Sequence, residues 1–197
     1  MTYDDVCYCA RVDDAPATTP ADILRPLRRA RQVREFTAEP VERAALDAIA
    51  DVARWSGSSQ NTQPWRFIVT TDEAVLRHIA TTGMPQTRSL RTASAAIAIV
   101  LPAAEGHEVG NAYDEGRVAE RILIAAGLLD LGAGIAWIRS ELRAEIGELF
   151  GLPPDRFIRT IVSLGHPTAA ARQPKTTQGS ARLPRHEVVY DERWPKG

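Results

Sequence analysis

The longest apolar stretch, Ala95 to Ala104, constrains this chain more than any other feature. Pro102 interrupts it, and it is too short to cross a bilayer, which takes about 20 apolar residues. Its first part, Ala95 to Leu101, reads as a buried strand, because a strand with one wet face would alternate apolar and polar residues. The rest of the chain has to cover that strand. At 197 residues, 44% apolar and 25% charged, it suits one compact domain with some length left for arms.

Other elements follow from periodicity and punctuation. A basic helix is expected from Ala21 to Arg34, with Pro26 in its first turn. Val41 to Trp55 reads as a second helix, with Ala45, Ile49, Val52 and Ala53 on one face. Trp65 to Thr71 alternates and is rich in aromatic and β-branched residues, as a strand does. Asp72 can cap a short helix through Ala80, and Gly83 to Arg91 is loop-like. A long helix spans about Ala112 to Leu131, with Val118, Ile122, Ala125 and Leu129 along one stripe, closed by Gly132 and Gly134. Ile135 to Ile138 makes a short strand. Glu141 to Phe150 makes a helix, capped by Ser140 and stopped by Gly151. Phe157 to Leu164 is the last core strand, and Glu187 to Tyr190 is the one further strand candidate.

Three regions result: a flexible tail over 1–20, a domain over 21–167, and an extended arm over 168–197. The arm has little to pack on within its own domain, so it is expected to wrap a second subunit.

Several function classes lose support. The net charge of −1 calls for neither nucleic acid nor an anionic membrane. The two cysteines, Cys7 and Cys9, are too few for a disulfide framework and lack the second pair of a structural zinc site. The opening residues lack the basic-then-apolar order of a signal peptide, and a cytoplasmic setting is expected. No strand is followed by a glycine-rich dinucleotide fingerprint, and no phosphate loop or H-E-x-x-H occurs. Ser163 lacks the first glycine of a nucleophile elbow. No residue is expected to act as a nucleophile or metal ligand.

Four short stretches could carry chemistry, each with a plainer alternative. Arg31 and Arg34 stand three apart and would share a helix face, as forks for phosphate or as a solvated basic surface. Ser58-Ser59-Gln60-Asn61-Thr62-Gln63 puts six polar side chains before an apolar strand. Hydroxyls and carboxamides both donate and accept, which suits a planar heterocycle with imide and carbonyl edges, or simply a surface loop. Gly132 to Ile138 is either a helix end plus a buried strand, or a backbone that a flat ligand can approach closely. Arg182, before Leu183-Pro184, is either solvated or aimed at an anion.

Together, in order and spacing, these stretches resemble the nitroreductase family. The matching segments are Arg31 to Phe36, Ser58 to Phe67, Gly132 to Ile138, Leu164 to Pro167 and Arg182 to Pro184. The resemblance covers about residues 25–197, and its most specific part is Ser-Ser-x-Asn-x-Gln-Pro-Trp. It implies an α+β fold with a mostly antiparallel central sheet flanked by helices. It also implies an intertwined homodimer with swapped C-terminal arms and FMN at the interface.

Carried over position by position, Arg31, Gln32 and Arg34 would face the phosphate and ribityl end of FMN. Ser58, Ser59, Asn61 and Gln63 would hold the isoalloxazine and ribityl groups, the two serines reaching the other subunit's flavin. The backbone at Ile138 and Arg139 would approach the flavin O4 and N5 edge, and Arg182 would return to the phosphate. The implied reaction passes hydride from NAD(P)H through flavin N5 to a small acceptor such as a nitroaromatic or quinone, in a ping-pong cycle. Dimethylbenzimidazole synthesis by flavin cleavage, and flavin storage without catalysis, are the alternatives. The chain departs from the family pattern at Ala30, Gln32, Gly57 and Ser180, which removes two cationic positions.

Overall fold

The computed structural model describes residues 19–103, 105–173 and 182–195. Cys7, Cys9, Ser180 and most of the expected N-terminal tail lie outside them.

The apolar run becomes β2 (Ala95–Pro102), a central strand of a four-stranded sheet. With β1 (Arg66–Thr70), β3 (Gly132–Trp137) and β4 (Arg156–Gly165), it forms the order β1-β2-β4-β3. Every neighbouring pair is antiparallel, and one register shift interrupts β2 against β4 between Ile99 and Val100. The two faces of β2 enter separate cores. Ala95, Ile97, Ile99 and Leu101 enter one core, and Ala96, Ala98 and Val100 the other. That is why the run shows no polar alternation: both faces are covered.

The larger core is roofed by α3 (Arg43–Arg54) through Leu46, Ile49 and Ala53, and by α5 (Glu108–Leu128) through Val118, Ile122 and Ala126. The opposite core is closed by α4 (Glu73–Thr82) through Leu76 and Ile79, and by α6 (Arg143–Leu149) through Ile146. Asp72 caps α4 as expected, accepting hydrogen bonds from the amides of Ala74 and Val75. The result is an antiparallel sheet between helical layers, an α+β arrangement.

Several local expectations give way. The single helix over 21–34 is instead α1 (Pro20–Ile23) and α2 (Arg25–Arg29). Residues from Arg31 onward run extended, because Gln32 bridges Ala133 in parallel and the Val33 N–H donates to the Ala133 carbonyl at 2.7 Å. Arg31 and Arg34 therefore share no helix face. Helix α5 starts a turn earlier than expected and ends at Leu128, so Leu129 lies past the helix and is half-exposed. Val52 faces solvent rather than the core.

Gly132 and Gly134 do not close α5; they belong to β3. The left-handed residue between helix and strand is Asp130, at φ 56°. Ser140 caps no helix: its hydroxyl donates to Glu141, and a 3-10 turn over Ser140–Leu142 precedes α6. Gly151 does stop α6, at φ 65°. The expected strand over 187–190 is overtaken by α8 (Arg185–Val188), and α7 (Ala169–Arg172) follows β4.

Candidate functional site

The polar loop keeps its side chains outside the core. Ser58 Oγ accepts the Gln63 N–H at 2.8 Å, which closes the loop on itself around a 3-10 turn, Ser59–Asn61. Gln60, Asn61 and Gln63 all take positive φ, at 50°, 55° and 46°. Left-handed backbone is unfavourable for side chains with a Cβ, and Asn tolerates it best. This conformation is held from outside the loop, by the Ser59 N–H donating to Asp114 Oδ2 of α5 at 3.1 Å. Asn61 and Gln63 remain exposed and face each other, with the Gln63 amide donating to Asn61 Oδ1 at 3.2 Å.

The arginine stretch lies elsewhere, against the start of β3. Three glycines make room for it. A Cβ on Gly134 would meet the Val33 carbonyl oxygen at 2.2 Å, one on Gly132 the Val33 side chain at 2.8 Å, and one on Gly165 the Phe36 ring at 2.9 Å. So the close approach that the glycines permit is used here by the chain's own Val33 and Phe36, which bury with Ala93 and Ala171.

Arg31 spends its guanidinium on carbonyls at the end of α7, donating to Ala171 at 2.9 Å and to Gln173 at 3.0 Å. Arg34 stays exposed and donates to Gln32 Oε1 at 2.8 Å. Arg182 lies exposed at the start of the last described segment.

Ile138 and Arg139 sit at the opposite end of β3. Ile138 is fully buried, and its N–H donates to the Arg159 carbonyl at 2.8 Å, so that donor is committed inside the fold. Arg139 pairs with Glu141 at 3.3 Å, both half-exposed. Arg139 and the nearby Ser140 hydroxyl stand beside Glu141, and with a backbone hydrogen bond as the largest cause they hold its carboxyl below the usual carboxylate range.

One chain thus gathers Arg31, Gln32 and Arg34 at one end of β3 and Ile138 and Arg139 at the other. From Ala133 to Ile138 the span is about 17 Å at roughly 3.4 Å per residue. Helix α5 runs back along this strand. Its Asp114 holds the polar loop, and its Glu115 binds Arg159 at the Ile138 end.

Asp114, Glu115 and Arg159 are missing from the sequence-based set of site residues. A signal was there: extending the Val118–Ile122 stripe back by three and four residues lands on Glu115 and Asp114. Carboxylates on an apolar stripe need partners, and these have them.

Comparison with known proteins agrees with this architecture. The model of the nitroreductase family matches residues 27–108. The oxygen-insensitive NADPH nitroreductase of Helicobacter acinonychis is 36% identical over 93 residues, 44% of this chain and 43% of that protein. The chain therefore matches under half the length of that relative. A candidate NADH dehydrogenase/NAD(P)H nitroreductase of Archaeoglobus fulgidus is 28% identical over 152 residues, covering 74% of this chain and 86% of the relative. Among solved structures, a candidate nitroreductase of Desulfovibrio desulfuricans in complex with FMN superposes with a TM-score of 0.72 at 26% identity. That alignment covers 90% of this chain and all of the other.

Proposed function

Because this chain is related to the nitroreductase family in sequence and shares its fold, we propose that it is an FMN-dependent oxidoreductase. It would pass hydride from NAD(P)H to a small acceptor such as a nitroaromatic or a quinone. The observation that carries this reading is the Ser58–Gln63 loop. Its left-handed residues hold Asn61 and Gln63 outward on a fixed backbone instead of letting them fold onto the surface.

The donor set suits FMN. Carboxamides and hydroxyls match the imide and carbonyl edges of a flavin ring, and Arg34 is an exposed cation for its phosphate. The Desulfovibrio relative, solved with FMN, supports the same assignment.

When bound, FMN supplies the hydride-transferring centre. The chain supplies placement. Asn61 and Gln63 orient the ring, and Ser58 and Ser59 shape the loop that reaches toward the flavin of the other subunit. The Arg139 backbone lines the reactive edge, and Ile138 fixes it from inside the fold, where its N–H is held by the Arg159 carbonyl. Gln32, Arg34 and Arg182 take the phosphate and ribityl end. Arg31 contributes by a different route from the one its sequence position suggests: it anchors α7, where the arm begins.

A homodimer fits this reading. Val109 and Tyr113 on α5 are 73% and 74% exposed, and Trp194 near the end of the arm is 78% exposed. Exposed apolar side chains on α5 and on the arm suit burial against a second subunit. The start of the expected arm packs on its own domain, through α7 and Ala171; we assign the rest of 168–197 to an arm that crosses to the partner, and residues 1–20 to a tail outside the domain.

The test is direct. The purified protein, or the protein after incubation with FMN, is expected to show flavin absorbance. It is also expected to oxidise NADH or NADPH faster when a nitroarene or quinone is added. A colourless protein that ignores added FMN overturns the proposal. Bound flavin without acceptor-dependent oxidation overturns the enzymatic part.

A further inference from the structure

Helix α5 carries neighbouring carboxylates, Asp114 and Glu115, on its core-facing side, and neither has a part in the chemistry above. They are 4% and 3% exposed. Consecutive helix residues point roughly 100° apart, so the two reach different neighbours. Asp114 Oδ2 accepts the Ser59 N–H, and its other oxygen lies 3.5 Å from Arg117. Glu115 Oε2 accepts from Arg159 Nε at 2.6 Å.

Arg159 in turn is fixed from three sides. Its guanidinium lies over the rings of Trp137 at 5.7 Å and Phe157 at 5.9 Å, and its carbonyl takes the Ile138 N–H.

Stability is a weak reason for this arrangement. An apolar pair of similar volume commonly serves as well as a buried ion pair or better. What the carboxylates do that an apolar pair does not is aim hydrogen bonds at separate segments.

We propose that Asp114 and Glu115 are positioning residues. Asp114 sets the Ser58–Gln63 loop through the Ser59 amide. Glu115 sets the exit of β3, Trp137 to Arg139, through Arg159. One rigid helix thereby holds in register two segments assigned to flavin binding, the polar loop and the β3 exit. That the positioned segments meet a flavin rests on the function proposed above; the positioning itself does not.

The experiment compares Asp114→Ala with the double variant Glu115→Leu/Arg159→Met, which removes both members of the buried pair together. Hydrogen exchange is read on the FMN-free protein. We expect Asp114→Ala to speed exchange over 59–63 about tenfold and leave 137–140 unchanged, and the double variant to do the reverse. Asp114→Asn, which keeps an acceptor oxygen toward Ser59, should restore most of the protection. In FMN titrations each disruptive variant should weaken binding by about tenfold.

Exchange that rises in neither segment, or evenly over the whole chain, overturns the proposal and leaves the carboxylates a purely structural role. A wild-type protein that takes up no FMN overturns the function proposed above, while the exchange pattern still decides the positioning.

Discussion

At the scale of single residues, this molecule depends on where a Cβ is forbidden. Gly134 sits mid-strand, where glycine ordinarily weakens a sheet. It is required because the Val33 carbonyl occupies the space a side chain would need. Gly134→Ala should therefore destabilise the fold by about 1–3 kcal/mol, the usual cost of overpacking. The obstacle is backbone rather than a flexible side chain, so we expect the upper part of that range, read as a lower urea midpoint with an unchanged slope. Gly110 and Gly116 of α5 would meet nothing within 4 Å, so substitution there gives the contrast to Gly134. Alanine at either site should leave the midpoint level or raise it.

At the scale of elements, helix α4 shows how much local chemistry decides. Asp72 satisfies two orphan amides at its start, and Leu76 and Ile79 bury one face. Asp72→Ala should cost about 1 kcal/mol and lower Tm by roughly 2–4 °C for a chain of this size. A change under half a degree would mean that packing alone holds the helix.

Elements such as α3, α4, β2 and β4 were legible because their signals lie within a few residues: a cap, a period, an apolar run. The stretch from Arg31 to Phe36 was not. Its basic composition suits a helix, yet its hydrogen-bond partners are Ala133, Thr168 and Thr92, far along the chain. Asp130 was missed for a similar reason: two glycines just after it were the stronger local candidates for the helix end, and β3 needed them for packing.

At the scale of the whole molecule, the two ends of β3 must serve one ligand. FMN laid along the strand, with phosphate near Arg34 and ring near Arg139, would draw on both ends and on the loop of a second subunit. We expect native mass spectrometry to show a dimer. Deleting residues 174–197 removes Arg182 and the exposed arm. Loss of a charge-assisted contact is worth about 1.5–3 kcal/mol, so FMN affinity should fall at least about tenfold. A truncated protein that binds FMN as tightly as the full chain would remove the arm from the site. Among the described residues, no helix is long and apolar enough to cross a membrane.

The sequence alone determined which segments are strands or helices wherever the signal was short-range, and which loop is rich in paired donors and acceptors. Those properties are encoded by neighbours a few positions apart, and composition and period record them. Only the tertiary structure decided that Arg31 turns to α7 and that the β3 glycines admit Val33. It alone showed that Asp114 and Glu115 tie the polar loop and the β3 exit to one helix. Each of those is a contact between residues remote in sequence, and a close approach across such a distance leaves no periodic trace in the chain.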